Sequence, residues 1–319
     1  MRTPRTHATQ RRDHYQDLTD KVIAALEAGT APWRRPWNPN ACGGSTTPVN
    51  AATGHRYRGV NVFVLGMSPL ALASGDPRWC SYRQALARGW QVRKAERATP
   101  VYFYKPIEIA DKSEAGESET RRVPILRTFS VFHASQIDGI SAFAAPPATK
   151  TIPERIEDVE IILLASGVPV RIGGDHAYYS PATDHIQLPP DSAFESPALR
   201  GSVAIHELGH ASGHPSRLNR DLSGRFGSSA YSREELRAEF SSILVGSEIG
   251  LPTDIPNHAS YLNSWLAILK QDKREIFRAA ADAQRIADYI LGLHPGYAAS
   301  PDNAASEDDD ASIAAPLAA

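Results

Sequence analysis

Five consecutive residues, His206-Glu207-Leu208-Gly209-His210, restrict this chain more than anything else in it. An α-helix turns about 100° per residue, so the two histidines lie on one face about one turn apart. Imidazoles so placed can share one divalent ion, and Glu207 beside them faces the water such an ion would hold. The ion would lower that water's pKa to about 7, and Glu207 could take its proton and later deliver it to a leaving group. The neighbours Val203, Ala204, Ile205 and Leu208 make the helix apolar, and three short strand-like segments (168–172, 177–180 and 185–188) precede it.

A third ligand has to come from downstream. Gly213 fits the metzincin pattern HExxHxxGxxH, but Ser216 stands where its last histidine belongs. His214 is one turn past His210, although Gly213-His214-Pro215 is expected to end the helix. A second helix opens at Tyr231-Ser-Arg-Glu-Glu-Leu-Arg-Ala-Glu239, where Glu235 and Glu239 are four apart and face the same way. Glu235 is assigned as the metal ligand, and Glu239 as the acid that fixes a ligand histidine through its free N–H. The reverse assignment stays open. Glu234 reads as a solvated acid at the helix start, pointing away. The spacing resembles the glutamate helix of gluzincins. Zinc is the expected ion, with another divalent metal as the alternative.

The 319 residues favour two domains, and 42 % apolar with 22 % charged residues allows a sizeable core. Residues 1–150 hold 21 Lys/Arg against 12 Asp/Glu, and the remainder 13 against 24. A basic half joined to an acidic half suggests that the first meets a polyanion. No apolar run approaches the roughly 18 residues of a membrane span, so no membrane partner is expected. Cys42 and Cys80 cannot build a disulfide framework, which points to a reducing cytoplasm.

Helices are expected at 14–28, 81–89, 156–166, 196–212, 232–249, 261–271 and 273–293. Strands are expected at 59–65, 100–104 and 128–132 besides the three already named, with an exposed loop at 110–120. A linker rich in Ala, Pro and Thr at 141–151 separates a first domain (1–145) from a second (150–298), and an acidic tail (299–319) reads as disordered.

Four of the five tryptophans, Trp33, Trp37, Trp79 and Trp90, fall in the basic half among many arginines. Aromatic faces stack on unpaired bases at roughly 1–3 kcal/mol each while cations track phosphates, so single-stranded DNA is the expected partner. Trp33 and Trp37 with Arg34 and Arg35 lead the candidates. Tyr57, Arg58, Trp79, Tyr82, Arg93 and Lys94 complete them. The competing reading is that the tryptophans are core.

The segments YQDLTDKVIAALEAGTAPWRRPW, NAATGHRYRGVNVFVLG and VFHASQIDG resemble the single-stranded-DNA-binding domain of the ArdC antirestriction family, and the leading region of plasmid TraC-type primases. AYYSPATDHIQLPP, HELGHASGHPSRLNRDL and YSREELRAEF resemble the zincin-like metallopeptidase domain found with it. His133 stands where the family usually has asparagine, and Ala95 where glycine is expected.

The resemblance implies an α+β protein of a conjugative plasmid or mobile element. Its N-terminal domain would bind single-stranded DNA, its gluzincin-like domain would carry a zinc peptidase site, and it would protect incoming DNA from restriction enzymes. Host restriction components are the expected protein substrates. Alternatives are a non-catalytic DNA-binding shield with a structural metal and a primase accessory protein.

Overall fold

The computed structural model describes residues 13–29, 31–33, 47–112, 118–144, 150–252 and 261–298. Asp13 caps α1 (His14–Glu27), whose Leu18, Val22 and Leu26 recur at helical spacing and are buried. Then come β1 (Val49–Asn50), α2 (Val60–Gly66), α3 (Pro69–Ser74), β2 (Arg78–Ser81), α4 (Tyr82–Ala87) and β3 (Gln91–Val92). The long strands β4 (Thr99–Lys112) and β5 (Ser118–His133) pair antiparallel from Thr99↔Val131 to Lys112↔Ser118, and β6 (Ile137–Asp138) pairs with β3. The main N-terminal sheet runs β1-β2-β5-β4.

After position 150 follow α5 (Ile152–Ser166), β7 (Val170–Ile172), β8 (Tyr178–Ser180), β9 (His185–Leu188), α6 (Pro197–Ala211), α7 (Ser229–Ile249), α8 (Leu262–Gln271) and α9 (Glu275–Gly292). Thr151 and Glu154 form a capping box at the start of α5. The second sheet is ordered β7-β9-β8, with β7 parallel and β8 antiparallel to the central β9. Both β8 and β9 contact α6, and α7 lies between α6 and α9.

Two expectations give way. Residues 59–65 form a helix, not a strand, because a short apolar run carries no period that separates a buried strand from a buried helix. Asn61 compensates on α2: its side chain donates to the Tyr102 carbonyl and accepts from the Tyr102 N–H, as a neighbouring strand would. Within 110–120, the strands continue to Lys112 and resume at Ser118, because the ladder of a long hairpin carries polar sequence into regular structure. The expected linker has no regular element at 141–144; positions 145–149 and the acidic tail lie outside the described residues.

One apolar core crosses the expected domain boundary. Leu18, Val22, Leu26, Trp33, Val60 and Phe63 share it with Phe240, Trp265, Phe277 and Ile286. Polar ties reinforce the junction: Thr19 donates to the Lys273 carbonyl at 2.8 Å, Thr47 to Glu248 at 2.6 Å, and Gln284 accepts from the Gly59 N–H at 2.9 Å.

Candidate metal centre

Ser196 caps α6, and the helix runs through the motif to Ala211, so one rigid element carries His206, Glu207 and His210. Gly209, in the middle of the motif, faces Ala238 and Ser241 of α7 at close range. A Cβ there would sit 2.9 Å from the Ser241 Oγ, so a larger residue would force that serine to shift. That proximity brings Glu235 of α7 to the histidines. Its carboxylate oxygens lie 3.7 Å from His206 Nε2 and 3.4 Å from His210 Nε2.

Donor atoms of His206, His210 and Glu235 all fall within 4.8 Å of one another, and the imidazoles stand at 87°. Two nitrogens and one oxygen, enclosed and convergent, fit a zinc-type ion with an open position. Burial would push Glu235 up, but the charge of His210, with the His206 imidazole close by, holds its carboxyl well below the usual range. Burial likewise opposes the charge on His210, yet Glu235, Glu234 and Glu207 together raise its pKa. The two opposite shifts describe an ion pair between His210 and Glu235. Glu207 is buried in the same cleft, near enough for its charge to act on His210 and Tyr261.

Glu234 corrects the sequence reading. It is buried, with Oε1 3.4 Å from His210 Nδ1 and 2.6 Å from Arg220 Nη2. The expectation of a solvated acid fails because α7 is enclosed by α6 and α9, so even the flank beside Glu235 faces protein. Arg220 also donates to the Ser212 hydroxyl and the Gly209 carbonyl, each at 2.7 Å, which ties Glu234 to the C-terminal turn of α6. Glu239 lies one turn beyond Glu235, fully buried. His214 turns to Ser216 and Asp184 instead of joining the cluster.

Tyr231, unassigned in the sequence, sits one turn before Glu235 on α7, where the two groups influence each other's charge, a spacing that could have pointed to it. Its hydroxyl lies 3.1 Å from that of Tyr261, which comes from a separate segment that no local pattern links to the site. Asp184 and Arg217 form an ion pair, joined by Tyr179, that fastens the β8–β9 turn to the loop after α6.

The expected DNA-contacting residues divide. Trp33 is 4 % exposed, its ring 4.8 Å from Phe240 and 5.6 Å from Trp265, so its faces are spent on core packing. Tyr57 and Trp79 are buried as well, because the strands and turns that carry them wrap a second small core with Leu65, Val101 and Val131. Arg58 pairs with Asp288. Tyr82 is 48 % exposed, Lys94 is exposed, and Arg93 is exposed while paired with Glu96 and Asp138. Arg34, Arg35 and Trp37 lie outside the described residues. Ala95 adopts φ 68°, the left-handed backbone that accounts for glycine being expected there. Buried His133 accepts from the Ser135 N–H and lies 2.8 Å from the Asp76 carbonyl, ordering the turn it caps.

No helix among the described residues is long and apolar enough to cross a membrane. A family model for the N-terminal domain of anti-restriction factor ArdC matches residues 12–132, and one for zincin-like metallopeptidases matches 157–282. An uncharacterized protein of Sinorhizobium fredii, y4eC, is 41 % identical over 91 % of this chain and 95 % of its own length. Two Escherichia coli proteins named DNA primase TraC are each 41 % identical, but the chain spans only 28 % and 20 % of their lengths. Crystal structures of the antirestriction protein ArdC from plasmid R388 superpose with TM-scores of 0.73 (metal-free) and 0.71 (Mn(II)-bound). Both are 36 % identical and cover 90 % of this chain and at least 99 % of theirs. With its paired ArdC-type and zincin-like parts matched in order along a two-domain α+β chain, the protein belongs to the ArdC-like family.

Proposed function

We propose that this is an antirestriction protein of a mobile element that binds single-stranded DNA with its N-terminal half and hydrolyses a peptide bond at the His206–His210–Glu235 centre. The observation that carries this reading is the enclosed donor set within 4.8 Å, sharing its cleft with Glu207, on a chain matched by ArdC over 90 % of its length. Zinc is the proposed ion, and the Mn(II)-bound relative supports a divalent cation. His206, His210 and Glu235 would hold it, where it would polarise a carbonyl and acidify water. Glu207 accepts the proton released in the attack and returns it to the departing amine. Glu234, backed by Arg220, keeps His210 presenting Nε2 to the cluster, and Tyr231 steadies Glu235.

Among the described residues β8 is an antiparallel edge strand that contacts the motif helix, and it is the proposed place for an extended peptide to add. Host restriction components are the proposed substrates. Tyr82, Arg93 and Lys94 are the described candidates for DNA, together with Arg34, Arg35 and Trp37. The proposed division is 1–145 for DNA and 150–298 for the peptidase.

The deciding test compares the parent with Glu207→Ala for cleavage of restriction subunits and for protection of transferred DNA. Loss of both supports the peptidase reading, whereas full protection without cleavage assigns protection to DNA binding alone. The DNA claim predicts preference for single strands over duplex, weakening with salt. Equal affinity for both forms, unchanged by Tyr82→Ala and Lys94→Ala, would sink it.

A further inference from the structure

Glu234 also lines a cavity of about 490 Å³, within the size range of small-molecule sites, to which none of His206, His210 and Glu235 contributes. Four guanidinium groups line it, those of Arg220, Arg233, Arg237 and Arg285, against the carboxylates of Asp221, Glu234 and Asp282. Two of the acids are already shared: Asp282 between Arg237 and Arg285, and Glu234 between Arg220 and His210. Four arginines against three acids leave the lining one positive charge in excess; Asp282 and Glu234 are held by cations, and Asp221 accepts from the Ser223 N–H and hydroxyl.

The four arginines differ in what they have left to give. Arg220 is consumed by Glu234, Ser212 and Gly209, and Arg237 by Asp282, Glu275 and the Arg233 carbonyl. Both are mostly buried and act as a fixed positive wall. Arg233 lies only within 3.6 Å of Glu275, a carboxylate that Arg237 and Arg278 approach more closely, and its side chain is 36 % exposed. Arg285, 73 % exposed, reaches Asp282 through Nη2. These two project from the adjacent helices α7 and α9 with donors to spare. Paired planar forks facing one space suit a tetrahedral oxyanion, which can accept two hydrogen bonds from each.

We propose that this cavity is a binding site for a phosphate-type oxyanion, gripped by Arg233 and Arg285 and backed by Arg220 and Arg237. The group could arrive as a free phosphate or as a backbone phosphate of single-stranded DNA, since both present unesterified phosphoryl oxygens, four on the free anion and two on the diester.

Inorganic phosphate titrated into the full-length, metal-free protein by calorimetry is expected to bind in the millimolar range or tighter. Arg233→Gln and Arg285→Gln should each weaken it about tenfold, the loss of one charged hydrogen-bonding partner. Asp282→Asn, which frees both of its arginines, should tighten it. A short oligothymidylate, measured in parallel, separates the sources. A matching loss in the Gln variants identifies a DNA phosphate, and unchanged DNA affinity alongside lost phosphate binding identifies a free anion. Undetectable phosphate binding, or affinity unaltered by all three substitutions in variants with parental circular dichroism spectra, would overturn the proposal.

Discussion

At the scale of single residues, spacing alone sets His206, Glu207 and His210 together on one helix, whereas Glu235 reaches them only because α7 packs on α6, and spacing left its exchange with Glu239 open. Glu234 could not be placed that way. Its role depends on α7 being enclosed on two sides and on Arg220 arriving from a loop with no period. Glu234→Gln is expected to reduce affinity for a divalent ion about 10–100-fold with little change in fold, read by competition with a chromophoric chelator. His210 gives a second prediction. Burial works against its charge, but the carboxylates of Glu235, Glu234 and Glu207 prevail and raise its pKa above 6.5. Its contribution to the stability of the metal-free protein is therefore complete below pH 6.5 and is lost as pH rises through the raised value. At neutral pH this proton must leave when an ion binds, so calorimetry in buffers of different ionisation enthalpy should show proton release. A buffer-independent enthalpy would contradict it. Ala95 bears a left-handed backbone with a Cβ in place. Ala95→Gly should raise stability by about 0.5–1 kcal/mol, measured by urea titration, because relief of roughly 1–2 kcal/mol of strain exceeds the added chain entropy.

Among the elements, the strongly periodic helices and the three strands before the motif were readable from sequence, and their ends lie within about four residues of those expected. α2 was not, since Val60–Gly66 is apolar all round and only its partner Tyr102 shows what Asn61 is for. Trp33 shows the same limit. Arginines and prolines around it suggest a surface loop, whereas α7 and α8 supply Phe240 and Trp265 from more than two hundred residues away. Trp33→Ala should cost about 3–5 kcal/mol of stability by leaving a cavity among these rings. Thermal melts and DNA titrations of the same variant distinguish this from stacking: stability should fall while the folded fraction keeps its DNA affinity.

For the whole molecule, the continuous core means that the two matched parts are not independent bodies joined by a string. Heating should give one calorimetric transition for the described residues, and two well-separated transitions would contradict a common core. A fragment ending near residue 145 would leave Leu18, Val22, Trp33 and Phe63 without their partners and is expected to aggregate. The same core bears on heredity. A crossover at the boundary would strand apolar faces on both products, whereas a crossover at either end would not. Consistent with that cost, the stretch recurs nearly whole both in y4eC and within the far longer proteins named TraC.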